Sequence, residues 1–182
     1  MKNLYKPKGI IPAPPTPFTS EDIINEKEYK RLLNYDIERG VHAICIGGST
    51  GEWSTMSIEE RKQLFKIAVD AIENRIPKIA TTGCHSLNKT LELTQYAVDL
   101  GYESILLVTP HYLQPGFEAT KDYYRTVAET FPNLAICIYN VPRNTNVEMP
   151  IEDIIELAKV PNITGMKHCT DPTLTNKIIE GT

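Results

Sequence analysis

The sequence has no run of roughly 20 apolar residues, the length a membrane-spanning helix requires, so no span is expected. Its opening stretch, MKNLYKPKGIIPAPP, is basic but lacks an apolar h-region, so no signal peptide is expected either. There is no low-complexity tract, no linker, no P-loop and no G-x-G-x-x-G, which removes the commonest phosphate-cradling motifs from consideration. The four cysteines, Cys45, Cys84, Cys137 and Cys169, show no C-x-x-C spacing. Three of them lie in or beside apolar runs, which suits reduced, buried thiols in a cytoplasmic protein. His85, His111 and His168 lack metal-ligand spacing, so no metal is expected. A large charge of either sign is also missing: 19 Lys and Arg face 23 Asp and Glu, for a net charge of −4. That mild acidity argues against nucleic acid or an anionic membrane as partner.

At 182 residues and 41% hydrophobic, the chain is long enough to bury one substantial core. Short apolar runs alternate with amphipathic stretches. The runs are Gly9 to Ala13, Ala43 to Ile46, Lys78 to Thr81, Ser104 to Val108, Leu134 to Tyr139 and Ile163 to Lys167. Most are apolar on both faces, as parallel strands covered by helices must be. Helices are predicted near residues 26–39, 57–73, 87–100, 119–131 and 150–159. Ser57-Ile58-Glu59-Glu60 reads as a capping box, and Gly40 and Gly101 stand at C-terminal caps. This is an α/β pattern of about six βα units.

An open doubly wound sheet and a (β/α)₈ barrel both fit that pattern. Small residues favour the barrel. Lys167 shares strand parity with Gly165, Cys169 and Ile163; Tyr139 shares it with Ala135 and Cys137; and Ala43, Cys45, Gly47 and Ser49 form a similar face on the second run. Small residues on one face leave room inside a closed barrel.

Ligands in such folds sit at the C-terminal ends of the strands. Those ends carry Gly47-Gly48-Ser49-Thr50-Gly51-Glu52, Thr109-Pro110-His111-Tyr112, Tyr139-Asn140-Val141-Pro142-Arg143-Asn144 and Lys167-His168-Cys169-Thr170. The lysine ending the last run is the unusual member, because an ammonium group is rarely buried unless it is paired or chemically employed. Gly47 to Gly51 also matches G-x-S-x-G, the nucleophile elbow of serine hydrolases, with Ser49 as nucleophile. That elbow must turn directly into a helix, whereas here the helix signal begins only at Ser57.

The segments GGSTGEWSTMSIEER, VTPHYLQP, YNVPRNTNVEMP and ITGMKHCT, with GIIPAPPTPF before them, resemble the pyruvate-dependent class I aldolase family of dihydrodipicolinate synthase and N-acetylneuraminate lyase. The likeness runs from about residue 9 to the end. It implies a (β/α)₈ TIM barrel, with residues 1–182 a single domain covering about the first six βα units. It implies that Lys167 forms a Schiff base with pyruvate, that Tyr139 shuttles protons, and that Thr50 links Tyr139 to a second tyrosine, Tyr112. Gly48, Ser49 and Thr50 match the clamp on the pyruvate carboxylate. The expected reaction condenses pyruvate with an aldehyde, as in the 4-hydroxy-tetrahydrodipicolinate synthesis of lysine biosynthesis, or cleaves a 2-keto acid to pyruvate. No cofactor is implied beyond the covalent Schiff base, and a homo-oligomer, dimer or tetramer, is. A free lysine titrates near 10.4, and burial could bring it to about 7–8, the neutral amine that carbinolamine formation needs.

Two departures stand out. The synthase branch places an arginine two positions after the proline of Y-N-V-P; here that position is Asn144, and Arg143 lies one step earlier. An N-acetylneuraminate or 2-keto-3-deoxy sugar acid aldolase is therefore an alternative. The family's last two βα units are also missing, so a truncated portion of a longer enzyme is expected, with an inactive fragment as a further alternative.

Overall fold

The structure, a computed structural model, describes residues 4–182. Two compact units divide the chain. One comprises residues 7–81 and 92–104; the other comprises residues up to Lys6, 82–91 and 105–182. The helix α3 (Leu87–Asp99) and the strand β3 (Ser104–Val108) contribute residues to both.

In the first unit, α1 (Glu26–Glu38) opens at Asn25, whose side-chain oxygen accepts from the Glu28 N–H at 3.2 Å. It closes at Gly40, whose φ of +80° is free of cost only for glycine. Strand β1 (Ile44–Ile46) pairs in parallel with β2 (Lys78–Thr81), Ile44 opposite Lys78 and Ile46 opposite Ala80, and every residue of both is buried. Helix α2 (Ile58–Ile72) starts on the capping box read from the sequence. Ser57 Oγ accepts from the Glu60 N–H at 3.2 Å, and the Ser57 N–H donates to Glu60 Oε2 at 2.7 Å. Leu64, Phe65, Ala68 and Ile72 of α2 and Tyr29 and Leu33 of α1 are buried. Each large apolar side chain so buried contributes about 1.5–3 kcal/mol. Lys78 is a lysine that is both buried and structural: at 2% exposure its Nζ donates to the Glu73 carbonyl at 2.9 Å and lies 3.6 Å from the Glu103 carboxylate.

The first expected strand, Gly9 to Ala13, is not one. Its carbonyls do accept ladder-like bonds, Ile10 from the His42 N–H and Pro12 from the Cys45 N–H, both at 2.9 Å. Pro12, however, has no N–H to return and Pro14 and Pro15 follow, so the two-way exchange of a strand cannot develop. Among the described residues five strands result rather than six.

In the second unit, β3 from Ile105 onward, β4 (Ala135–Asn140) and β5 (Ile163–His168) are neighbours in that order. Helix α4 (Phe117–Thr130) follows β3. The four-residue α5 (Pro142–Thr145) and α6 (Ile151–Leu157) follow β4. Lys121 of α4, 5% exposed, lies 2.9–3.0 Å from Glu118, Asp153 and Glu156 and so ties α4 to α6. Those carboxylates push its pKa well above the ordinary lysine value. Asn162, just before β5, donates from Nδ2 to the carbonyls of Ala128, Phe131 and Leu134. The last helix, α7 (Pro172–Gly181), begins on Asp171, whose carboxylate accepts from the Thr173 N–H at 2.8 Å and is held below its ordinary pKa by that contact. Gly181 is the last residue of this helix.

Candidate active site

The second unit contains Lys167, Tyr139, Tyr112, Arg143 and Asn144, and the first contains Gly48, Ser49 and Thr50. Each group is built by its own local chemistry.

Strands β4 and β5 pair in parallel with Cys137 opposite Gly165, Tyr139 opposite Lys167 and Asn140 opposite His168. In-register residues share a face, and Lys167 Nζ stands 4.6 Å from the centre of the Tyr139 ring. The two residues named from motifs 28 positions apart are therefore brought together by strand register. The expected extension of this face back to Ile163 fails, because the register shifts between Ile136, which faces Ile163, and Cys137, which faces Gly165. An extra residue in one strand resets the alternation.

Tyr139 is 3% exposed and firmly held. Its carbonyl accepts from the Thr109 N–H at 3.1 Å and from Thr109 Oγ1 at 3.2 Å. Behind Thr109, the Tyr124 hydroxyl lies 3.4 Å from Thr109 Oγ1 and donates to the Leu107 carbonyl at 2.9 Å; burial keeps that phenol protonated. Lys167 itself is half-exposed, as is the rest of β5 beyond Ile163. The expected closed apolar interior around it is thus not seen: β5 stands last in the strand order, with no further strand beside it among the described residues.

On the opposite face of the same pair runs a polar chain that the motifs did not reveal. Asn140 Nδ2 lies 3.5 Å from His168 Nδ1, and His168 Nε2 lies 2.7 Å from Thr170 Oγ1. The Cys169 N–H donates to the Asn140 carbonyl at 2.9 Å, continuing the ladder one residue beyond β5. Burial holds the His168 pKa below its ordinary value, with Glu148 acting weakly the other way. Asparagine next to the motif tyrosine and histidine next to the motif lysine were the only signals, and register alone joins them.

Tyr112 is 83% exposed with φ +66°, and its ring meets His85 edge-on at 6.4 Å. His85 also packs against His111, the rings tilted by 50° with 4.2 Å between their centres. The His111 pKa is lowered by burial and then by His85. Arg143 and Asn144 are both exposed on α5. The segment is helical rather than extended, so the one-residue offset does not carry a side chain to the opposite face. On a helical turn adjacent side chains diverge by about 100°, and the Asn144 N–H is already committed to the Val141 carbonyl at 2.9 Å.

In the first unit, β1 runs into Gly47, whose φ is +65°, and then into two successive 3₁₀ turns, Ser49–Gly51 and Trp53–Thr55, joined by Glu52 at φ +61°. Gly48 and Gly51 are buried, Ser49 half-buried and Thr50 exposed. A methyl group on Gly48 would come within 3.3 Å of the Ala13 side chain, and one on Gly51 within 3.2 Å of the Pro14 carbonyl. The loop is therefore closely packed on the chain that precedes it. No α-helix follows Ser49 directly; α2 begins at Ile58. The strand-to-helix elbow of a serine hydrolase is absent here.

Among the described residues, no group of three or more His, Cys, Asp or Glu side chains could hold a metal, and no helix is long and apolar enough to cross a membrane.

The family model of the dihydrodipicolinate synthetase family matches residues 6–181. The chain is 36% identical over 162 residues to the 4-hydroxy-tetrahydrodipicolinate synthase of Thermus thermophilus, covering 88% of this chain and 54% of that one. It is 39% identical over 168 residues to the N-acetylneuraminate lyase of Pasteurella multocida, covering 92% and 56%. Among solved structures it matches the dihydrodipicolinate synthase of Acinetobacter baumannii complexed with pyruvate. The TM-score is 0.89 and the identity 36%, over 96% of this chain and 61% of that one. The chain thus spans a little over half the length of the curated relatives it matches.

Proposed function

The chain belongs to the dihydrodipicolinate synthetase family and has the fold of about the first units of a (β/α)₈ barrel, and on that premise we propose that it carries the nucleophile of a pyruvate-dependent Schiff-base lyase. The observation that carries the reading is the Lys167–Tyr139 pair at the C-terminal ends of β5 and β4.

In this reading the neutral Lys167 amine attacks the keto carbon of pyruvate. The carbinolamine loses its hydroxyl as water after protonation, leaving an iminium. The Tyr139 ring face that receives the ammonium, an attraction of about 0.5–2 kcal/mol, then receives the iminium that replaces it. The positive nitrogen draws electrons from the neighbouring carbon, an α-proton leaves, and an enamine forms. Its carbon bonds to the carbonyl carbon of an aldehyde, whose oxygen takes a proton. Water then hydrolyses the imine, freeing product and amine. Run in reverse, the same steps cleave a 2-keto acid to pyruvate. The Tyr139 hydroxyl gives and takes the protons, its backbone fixed by Thr109. Gly48, Ser49 and Thr50 serve as the pyruvate carboxylate clamp, and Tyr112 as the second tyrosine of the proton relay, offered to a neighbouring subunit in a homodimer or tetramer. The lysine is itself the electron sink, so neither metal nor organic cofactor is required.

The pyruvate complex of the Acinetobacter baumannii relative supports pyruvate as the first substrate. The aldehyde is left open between aspartate semialdehyde-like and sugar-derived classes, because Arg143 and Asn144 depart from the synthase pattern. Residues 1–182 are proposed to act as one barrel domain in a soluble, cytoplasmic enzyme.

Intact mass after incubation with pyruvate and borohydride tests the reading. A pyruvyl adduct on the wild type and none on Lys167→Ala is the expected result; equal adducts on both would overturn it.

A further inference from the structure

A short loop of two 3₁₀ turns has little stability of its own, because such turns have poor hydrogen-bond geometry and rarely persist unaided. The 48–55 loop nevertheless holds a fixed form with Glu52 in the left-handed region. One anchor is visible on its inner side, where Thr16 Oγ1 donates to the Gly51 carbonyl at 2.8 Å. The other is Arg61, which projects from the first turn of α2 and is only 3% exposed. Its guanidinium lies 4.9 Å from the Trp53 ring centre, and its Nη2 donates to the Thr81 carbonyl at the end of β2 at 2.6 Å. Thr81 in turn sits 3.5 Å from Cys45 Sγ on β1.

We infer that Arg61 and Trp53 form a clamp that positions the Ser49–Thr50 segment against the ends of β1 and β2. Arg61 is therefore a positioning residue for binding the carboxylate of a 2-keto acid. The guanidinium does two things at once that an ammonium cannot: it sets its delocalised charge over the indole and directs an N–H in its own plane at a carbonyl. The α2 capping box fixes the base of the clamp, since Ser57 and Glu60 hold the turn from which Arg61 projects. The carboxylate role rests on the reading of Ser49 and Thr50 given above; the positioning role does not.

The test compares the wild type, Arg61→Lys and Trp53→Phe, all as the full chain, by amide hydrogen exchange and by the pyruvate concentration giving half-maximal borohydride trapping. Arg61→Lys is expected to speed exchange of the 49–55 amides about tenfold, because an ammonium cannot keep both the cation–π contact and the hydrogen bond. The α2 amides beyond residue 64 should be unchanged. Half-saturation for pyruvate should rise by a similar factor, with the trapping rate at saturation preserved. Trp53→Phe, which keeps a ring face, should fall between. Unchanged exchange at 49–55 in Arg61→Lys overturns the clamp, as does faster exchange spread evenly over α2 and the loop. Faster loop exchange with unchanged half-saturation overturns its role in substrate binding. If the wild type traps no pyruvate, the Schiff-base reading falls, while the exchange comparison still decides the clamp.

Discussion

Asn162→Ala should be among the most destabilising single changes in the second unit, and its cost follows from three distances. Asn162 Nδ2 lies 3.0 Å from the Ala128 carbonyl, 3.0 Å from that of Phe131 and 3.3 Å from that of Leu134. Its two N–H groups thus serve the end of α4 and the turn after it. Its own carbonyl accepts the Ile136 N–H at 2.8 Å, at the start of the β4–β5 pairing. The residue is 5% exposed, so water cannot replace the amide. Two buried hydrogen bonds at about 1 kcal/mol each, plus the cost of carbonyls left unsatisfied, come to about 2–3 kcal/mol. In a domain of this size, each kcal/mol lowers Tm by about 2–4 °C, so a fall of about 5–10 °C is expected in a circular-dichroism melt. Asn162→Asp should be worse than Ala, because it aims a carboxylate at the same carbonyls. A loss below about 1 °C in Asn162→Ala, or an Asp variant more stable than the Ala variant, would refute the assignment of these bonds as the tie between α4 and the root of β5.

Tyr139→Phe keeps the ring beneath Lys167 and removes the hydroxyl. Borohydride trapping of pyruvate should slow by about 10²–10⁴-fold with the fold unchanged by circular dichroism, whereas a rate within a factor of three would remove Tyr139 from the proton transfers. Acidification should destabilise the protein. His111 and His168 are both held below the ordinary histidine pKa, chiefly by burial, so the unfolded chain takes up protons first and stability falls as pH drops below about 6.5. The Tm should decline from pH 7.5 to 5.5, and more shallowly in His168→Gln; a flat or rising Tm would contradict the burial of both rings. Of the four cysteines, Cys169 alone is exposed, so a thiol reagent should modify one residue quickly under native conditions, and Cys169→Ser should abolish that phase.

The order of elements was legible because it rests on local chemistry. The box at Ser57 and Glu60 and the positive φ of Gly40 and Gly101 appear where the residue types demand them. The failure at Gly9 to Ala13 is also local in cause: an apolar run reads as a strand, but Pro12 within it and Pro14 and Pro15 after it remove the donors a strand must offer. Of the candidate site, the Lys167–Tyr139 pairing was within reach through strand parity, since both stand at strand ends with small residues two positions before. The Asn140–His168–Thr170 chain was not, because it depends on which residue of β5 faces which residue of β4, and the shift between Ile136 and Cys137 cannot be read from either strand alone. The same holds for Arg61. Its helix position is plain in the sequence, but its burial against Trp53 depends on the fold of a loop with no regular period. The α5 turn was missed because four residues are too few to show one.

The most direct test of the central claim is to locate the reduced pyruvyl group by peptide mapping after borohydride trapping of the wild-type chain. The account predicts one modified residue, Lys167, in the peptide that carries Gly165-Met166-Lys167-His168. Modification spread over exposed lysines such as Lys6 and Lys89, or confined to any lysine other than Lys167, would contradict it.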